Sequence, residues 1–239
     1  MPKTGKQYII ETSGIVVEVI RKNIKNLRIT VYPPHGMVRV SAPVHVNDRG
    51  ICDAIKSRLS WIRKKQDAFK SQPVQSQQEM ITGENHLYQG RRYTLKVVEA
   101  DWTPSVVLSS NSTIELRIRP GSDRNKREAV LNEWYREQLK EQVPPLIAEW
   151  EPRIGVEVSD WGIRRMKTRW GTCNTRAKRV WLNLDLAKKP PACLEYVLVH
   201  EMLHLVERHH NDRFHQLMND LFPHWRLRKE ELDNILSCF

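Results

Sequence analysis

The first 45 residues alternate apolar and polar positions in the strand manner. "GIVVEVIR", "LRITVYPP" and "GMVRVSAP" are rich in Val and Ile, and His35-Gly36 marks a turn before the third. Runs of this kind joined by short turns predict antiparallel pairing. The period then changes. In "VNDRGICDAIKSRLSWIRKKQDAFKSQ", Ile51, Ile55, Leu59 and Ile62 recur at steps of three and four, and Asn47 or Asp48 is placed to cap. One helix over about residues 47–70 is predicted. A polar loop, "SQPVQSQQEM", leads to further strand-like pieces in "RRYTLKVVEA", "SVVLSS" and "TIELRIRP". No internal repeat is visible at solenoid spacing.

The character changes again at the Pro120-Gly121-Ser122 turn. A long amphipathic stretch follows, which Pro144-Pro145 should break or kink and Pro152 should end. "VEVSDWGIRRMKT" reads as strand, "RWGTCNTRAKR" as a turn and "VWLNLDL" as strand, before Pro190-Pro191 introduces a last apolar helix. The expected class is α+β. A mainly antiparallel β region with one helix (1–120) precedes a helix-rich domain (121–239).

Composition narrows this picture. No window of about 18 apolar residues predicts a membrane span. The opening "MPKTGKQYII" turns polar too soon for a secretory signal, so a cytoplasmic protein is expected. Cys52, Cys173, Cys193 and Cys238 are scattered without a C-x-x-C pair, which argues against a disulfide framework or a cysteine zinc ribbon. The net charge of +11 is compatible with an anionic partner. Residues 161–180 concentrate seven Lys or Arg with no acid, which suggests a locally basic surface open to nucleic acid or simply to water.

The candidate chemistry lies in "VLVHEMLHLVERHHNDRFHQ", which holds five of the nine histidines. His200-Glu201-x-x-His204 places two imidazoles on one helix face, the arrangement of a zinc site. Glu201, next to the first, could take a proton from a metal-activated water and pass it to a leaving group. Candidates for a third ligand are Glu207, His209, His210, His215 and His224. Glu207 on a continuing helix would stand about 10 Å from His200. A ligand supplied after the helix ends folds back more easily, and "RHHND" offers such an end. His210 follows His204 by six positions, the metzincin spacing, although Glu207 occupies the glycine position of that pattern. Spacing favours His210 without excluding His209.

"MKTRWGTCNTRAKRVWLNLDLAKKPPACLEYVLVHEMLHLVERHHNDRFHQLM" resembles the YgjP-like family of zinc metallopeptidases, related to SprT-type proteases and other minimal zincins. The likeness extends to "KNLRITVYPPHGMVRVSAPVHV", "RLSWIRKKQ" and "GENHLYQGRRYTLKVV". It implies a zincin-like catalytic domain, a Zn²⁺ cofactor and a peptide or protein substrate. The family reads Asn-His-Ser-x-x-Phe-Trp after the helix, where this chain has His209-His210-Asn211-Asp212-Arg213-Phe214-His215. Phe214 in register puts His210 at the ligand position.

Two further residues are candidates for substrate contact. Arg169 could meet a substrate carboxylate or phosphate. Asn183 could bond a substrate backbone, or could equally pin the loop beneath the site. Trp170 and Tyr196 are expected to pack, and Cys173 to be a small core or turn residue. The leading function is a zinc-dependent peptidase. The alternatives are a metal-dependent nucleotide or phosphoester hydrolase, and a nucleic-acid-associated protein with a structural zinc.

Overall fold

In the computed structural model the described residues are 7–32, 35–70, 78–109 and 112–234. Most of the expected polar loop, Pro33-Pro34 and Cys238 lie outside them. The chain divides into two compact units between Ser76 and Gln77.

In the first unit, β1 (Gln7–Thr12), β2 (Ile15–Lys22), β3 (Arg28–Tyr32) and β4 (Met37–Pro43) form one sheet in the order β1-β2-β4-β3. Ser13 and Gly14, both at positive φ, close the β1–β2 hairpin, the conformation that a tight two-residue turn between twisted strands requires. Val17 and Val19 pair with Val38 and Val40 in register. These side chains are buried together with Ile51, Ile55 and Ile62. The isoleucines come from α1 (Asp48–Ser57), capped by the Asn47 side chain, and α2 (Leu59–Lys70). Two sequence expectations are corrected here. β2 and β4 are parallel, because the β3–β4 hairpin returns β4 to the β2 edge. The single helix is two helices separated at Arg58.

The second unit begins with a sheet of β5 (Asn85–Tyr88), β6 (Arg91–Glu99), β7 (Ser105–Ser109) and β8 (Thr113–Ile118), in the order β5-β6-β8-β7 and again with its central pair parallel. The 31-residue α3 (Arg124–Ile154) follows, capped by Asp123 at its start and by Gly155 at its left-handed C-cap. It runs unbroken through Pro144, Pro145 and Pro152, contrary to expectation. Its buried stripe, Leu131, Tyr135, Leu139, Val143, Ile147 and Trp150, continues past the prolines, which point outward at positions 144 and 145. That stripe shares one core with Leu95, Ile114, Leu116 and Ile118 of the sheet and with the elements that carry the histidines. The strands at 85–118 therefore belong with the C-terminal helices, and the division falls well before the Pro120-Gly121-Ser122 turn.

The two sheets repeat one topology. β2 and β6, β4 and β8, and α1 and α3 start 76 residues apart, and β1/β5 and β3/β7 keep that spacing within two residues. Asn47 and Asp123 cap the two helices in the same way, each accepting from the backbone N–H three residues on. Val38, Val40 and Ala42 are buried where Ile114, Leu116 and Ile118 are buried in the second copy. The chain thus contains a four-strand-and-helix module twice, at a period longer than solenoid repeats use.

Beyond α3, β9 (Asp160–Arg164), β10 (Gly171–Asn174) and β11 (Arg179–Asn183) form a small sheet in the order β10-β11-β9, with β10 at one edge. "VWLNLDL" is strand only to Asn183, and a 3-10 turn covers Leu184–Lys188. The helices α4 (Pro191–Leu203), α5 (Asp212–Leu221) and α6 (Trp225–Asn234) complete the unit. Among the described residues no helix is long and apolar enough to cross a membrane.

Candidate metal centre

Pro190-Pro191 sets the start of α4, where a missing N–H costs nothing. Nine of its 13 residues are buried, so it is a core helix, and Glu201 is buried with them at 7% exposure. The helix ends at Leu203. His204 is its C-cap, and the N–H groups of Leu205, Val206 and Glu207 bond back to Met202 and Leu203. Asn211 then caps α5 by accepting from Phe214 N–H. This tight reversal brings His210 back over the helix.

The ligand atoms of His200, His204 and His210 lie within 4.8 Å of one another, and no other histidine joins this group among the described residues. The Nε2 atoms of His200 and His210 face each other at 2.9 Å. A tetrahedral ion with bonds of about 2.0–2.1 Å holds its ligand nitrogens about 3.4 Å apart, so the triad fits a divalent metal with small adjustment. His204 Nδ1 lies 3.1 Å from the Glu207 carbonyl, a bond that makes Nδ1 the protonated nitrogen and leaves the Nε2 lone pair free. Burial pushes His200 down to about 3, with the neighbouring imidazoles adding to the effect, and burial also lowers His210. Both are therefore neutral, the form that binds metal. Among the described residues the buried Nδ1 of His200 has no hydrogen-bond partner.

Phe214 forms the apolar wall of this cluster. It stacks on His204 at 4.9 Å and meets His200 and His210 edge-on at 5.0 and 4.8 Å. The sequence used Phe214 only as a register mark. Its spacing of four after His210 across a cap was the signal for this packing. The other candidates are occupied elsewhere. His215 stacks on Trp225, His209 is exposed, His224 is exposed before α6, and the Glu207 carboxylate accepts from His209 N–H.

Glu201 stands beside the triad. Burial raises its carboxyl to about 7, against the opposing effects of the Arg169 charge and a hydrogen bond from Cys173 N–H. A Cβ at Gly171 would stand 2.6 Å from Glu201 Cγ, so glycine is what lets β10 lie against the carboxylate. Cys173 is no nucleophile, since burial pushes its thiol up to about 11.

Asn183 does not face the cleft. Buried at 4% exposure, it donates to the carbonyls of Met166 and Arg169 and accepts from the N–H groups of Met166 and Asp185. It pins the loop between β9 and β10 beneath the site. Arg169, at the end of the pinned loop, is exposed and lines the cleft beside His200 and Glu201. Trp170 packs against the core as expected. In the basic segment, Arg165, Lys178 and Arg179 are ion-paired to Glu128, Glu157 and Asp160, so the patch is less positive than its sequence suggests.

A family model described as the YgjP-like metallopeptidase domain matches residues 25–235. A search of curated protein sequences gives no match. Among solved structures, the chain is similar to the metallopeptidase zymogen abylysin of Pyrococcus abyssi, with 21% identity over 40% of this chain and 92% of that one and a TM-score of 0.35.

Proposed function

Since the chain belongs to the YgjP-like metallopeptidase family, and is therefore a metal-dependent hydrolase, we propose that it is a zinc peptidase. His200, His204 and His210 would hold the metal, and Glu201 would be the general base. The observation that carries this reading is the convergence of three histidines, two of them held neutral by burial, on one point beside a buried carboxyl that titrates near neutral pH. A zinc ion there would supply Lewis acidity to the scissile carbonyl. Glu201, poised at about 7, is suited both to taking a proton and to returning it to the leaving amine. Phe214 keeps water from the back of the imidazoles. The edge strand β10 lines a cleft of about 620 Å³ with His200, His204 and His210, where an extended peptide could lie alongside it.

Glu201→Gln should lower turnover by about two to four orders of magnitude with zinc content unchanged. His200→Ala should lose the metal, read by elemental analysis. Undiminished hydrolysis by the Glu201→Gln protein would sink the mechanism. A second reading, hydrolysis of a phosphoester, draws on Arg169 and Arg208 in the same cleft. Assaying released phosphate beside released amine separates the two. A purely structural zinc is the weaker reading, because such sites enclose the ion with four protein ligands and only three converge here.

A further inference from the structure

Beside the wide cleft lies a second, narrower cavity of about 240 Å³ that meets it at His200 and Glu201. Its apolar walls are Trp170 from the pinned loop, Tyr196 and Val197 from α4, and Leu232 from α6. Two cations complete it, Arg169 on one side and Lys229 of α6 on the other. Ligand pockets for drug-sized molecules run to about 300–1,000 Å³, so this one is scaled to a single residue. Glu201 is the only carboxylate lining it. Among the described residues neither Arg169 nor Lys229 is ion-paired, whereas 14 other Lys or Arg are. Both charges reach the reacting groups. That of Arg169 acts on Glu201, and that of Lys229 acts on His200 and His210.

We infer that this cavity is a specificity subsite for a substrate residue carrying a carboxylate, which Arg169 and Lys229 receive. A pocket with apolar walls and two cations disfavours a basic residue and gains little from an aliphatic one. A carboxylate on a short stem satisfies both the walls and the charges. Its position next to Glu201 makes it the neighbour of the scissile bond. That carboxylate could belong to an acidic side chain or to the substrate's own C-terminus. The inference rests on the peptidase reading for the ligand's identity, but the cavity and its charges do not depend on it.

The test measures binding separately from turnover. Zinc-loaded, full-length Glu201→Gln protein is titrated with peptides that differ at one position, Glu against Gln, each with a free or an amidated C-terminus. The Glu peptide should bind about tenfold more tightly than the Gln peptide at low salt. The ratio should fall toward one in Lys229→Gln and, separately, in Arg169→Gln. If the preference instead follows the free terminus, the carboxylate is the terminal one. A starting protein that prefers neither Glu over Gln nor a free over an amidated terminus overturns the inference, as does a preference that survives both substitutions or failure of every peptide to bind. Wild-type hydrolysis of the same peptides is scored independently. Binding with a clear Glu preference but no cleavage leaves the subsite standing and removes the peptidase reading.

Discussion

The side chains at the centre depend on neighbours that take no part in the chemistry. Gly171 is the clearest example, since any side chain there meets Glu201 Cγ at 2.6 Å and Oε1 at 2.8 Å. Gly171→Ala should therefore move the carboxylate while leaving the three imidazoles alone. We expect kcat to fall about tenfold to a hundredfold with zinc content unchanged, a split that kinetics and metal analysis together would reveal. His86 on β5 makes a different prediction. It is 4% exposed, its Nε2 has no hydrogen-bond partner, and the Glu84 carboxylate stands 3.5 Å away. Burial lowers its pKa despite Glu84, and Lys188 works in the same direction as burial. The folded chain thus resists a proton that the unfolded chain accepts near pH 6.5, and stability must fall as the pH drops below that value. His86→Gln should narrow the loss in urea midpoint between pH 7 and pH 5. An identical loss in both proteins would show that the histidine contributes nothing.

What the sequence could and could not reveal is decided at the level of the element. That His200 and His204 share one helix face was legible, because residues four apart on a helical run stack together. Strand direction was not legible. Val38 and Val40 alternate with polar neighbours whether β4 pairs parallel or antiparallel, and only the inserted hairpin decides. Asn183 was ambiguous for a related reason, because an amide beside a site looks the same whether its partners are substrate or its own loop. In α3 the prolines misled. The chain tolerates them because Pro144 and Pro145 lie on the wet face, where water serves the carbonyls of Lys140 and Glu141. Pro144→Ala restores a donor on that face without touching the buried stripe. It should stabilise the protein by up to about 3 kcal/mol, raising the melting temperature by a few degrees in calorimetry.

The chain carries one module twice, with different consequences. The duplication escaped the sequence because the copies share a pattern of buried positions and caps, and neither Val38/Ile114 nor Asn47/Asp123 is an identity. Only the second copy is extended by β9–β11 and α4–α6, and so only that unit holds the triad of His200, His204 and His210. Charge divides the same way. Residues 1–76 carry 14 Lys or Arg against five acids, while residues 77–239 carry 25 against 23. Most of the excess of +11 thus falls in the first unit, where Arg49, Lys56, Arg58, Arg63, Lys64 and Lys65 are exposed along the two helices. The 161–180 segment, which drew attention in the sequence, spends three of its seven cations on ion pairs. Attraction to a polyanion scales with unneutralised surface cations and weakens with salt. Full-length Arg63→Glu/Lys64→Glu should therefore elute from heparin at clearly lower salt than wild type. Arg164→Glu/Arg176→Glu makes the same change in net charge on the other unit, where acids already balance the cations, and should shift elution less. Equal shifts would mean that net charge alone sets retention and that its concentration on the first unit has no effect.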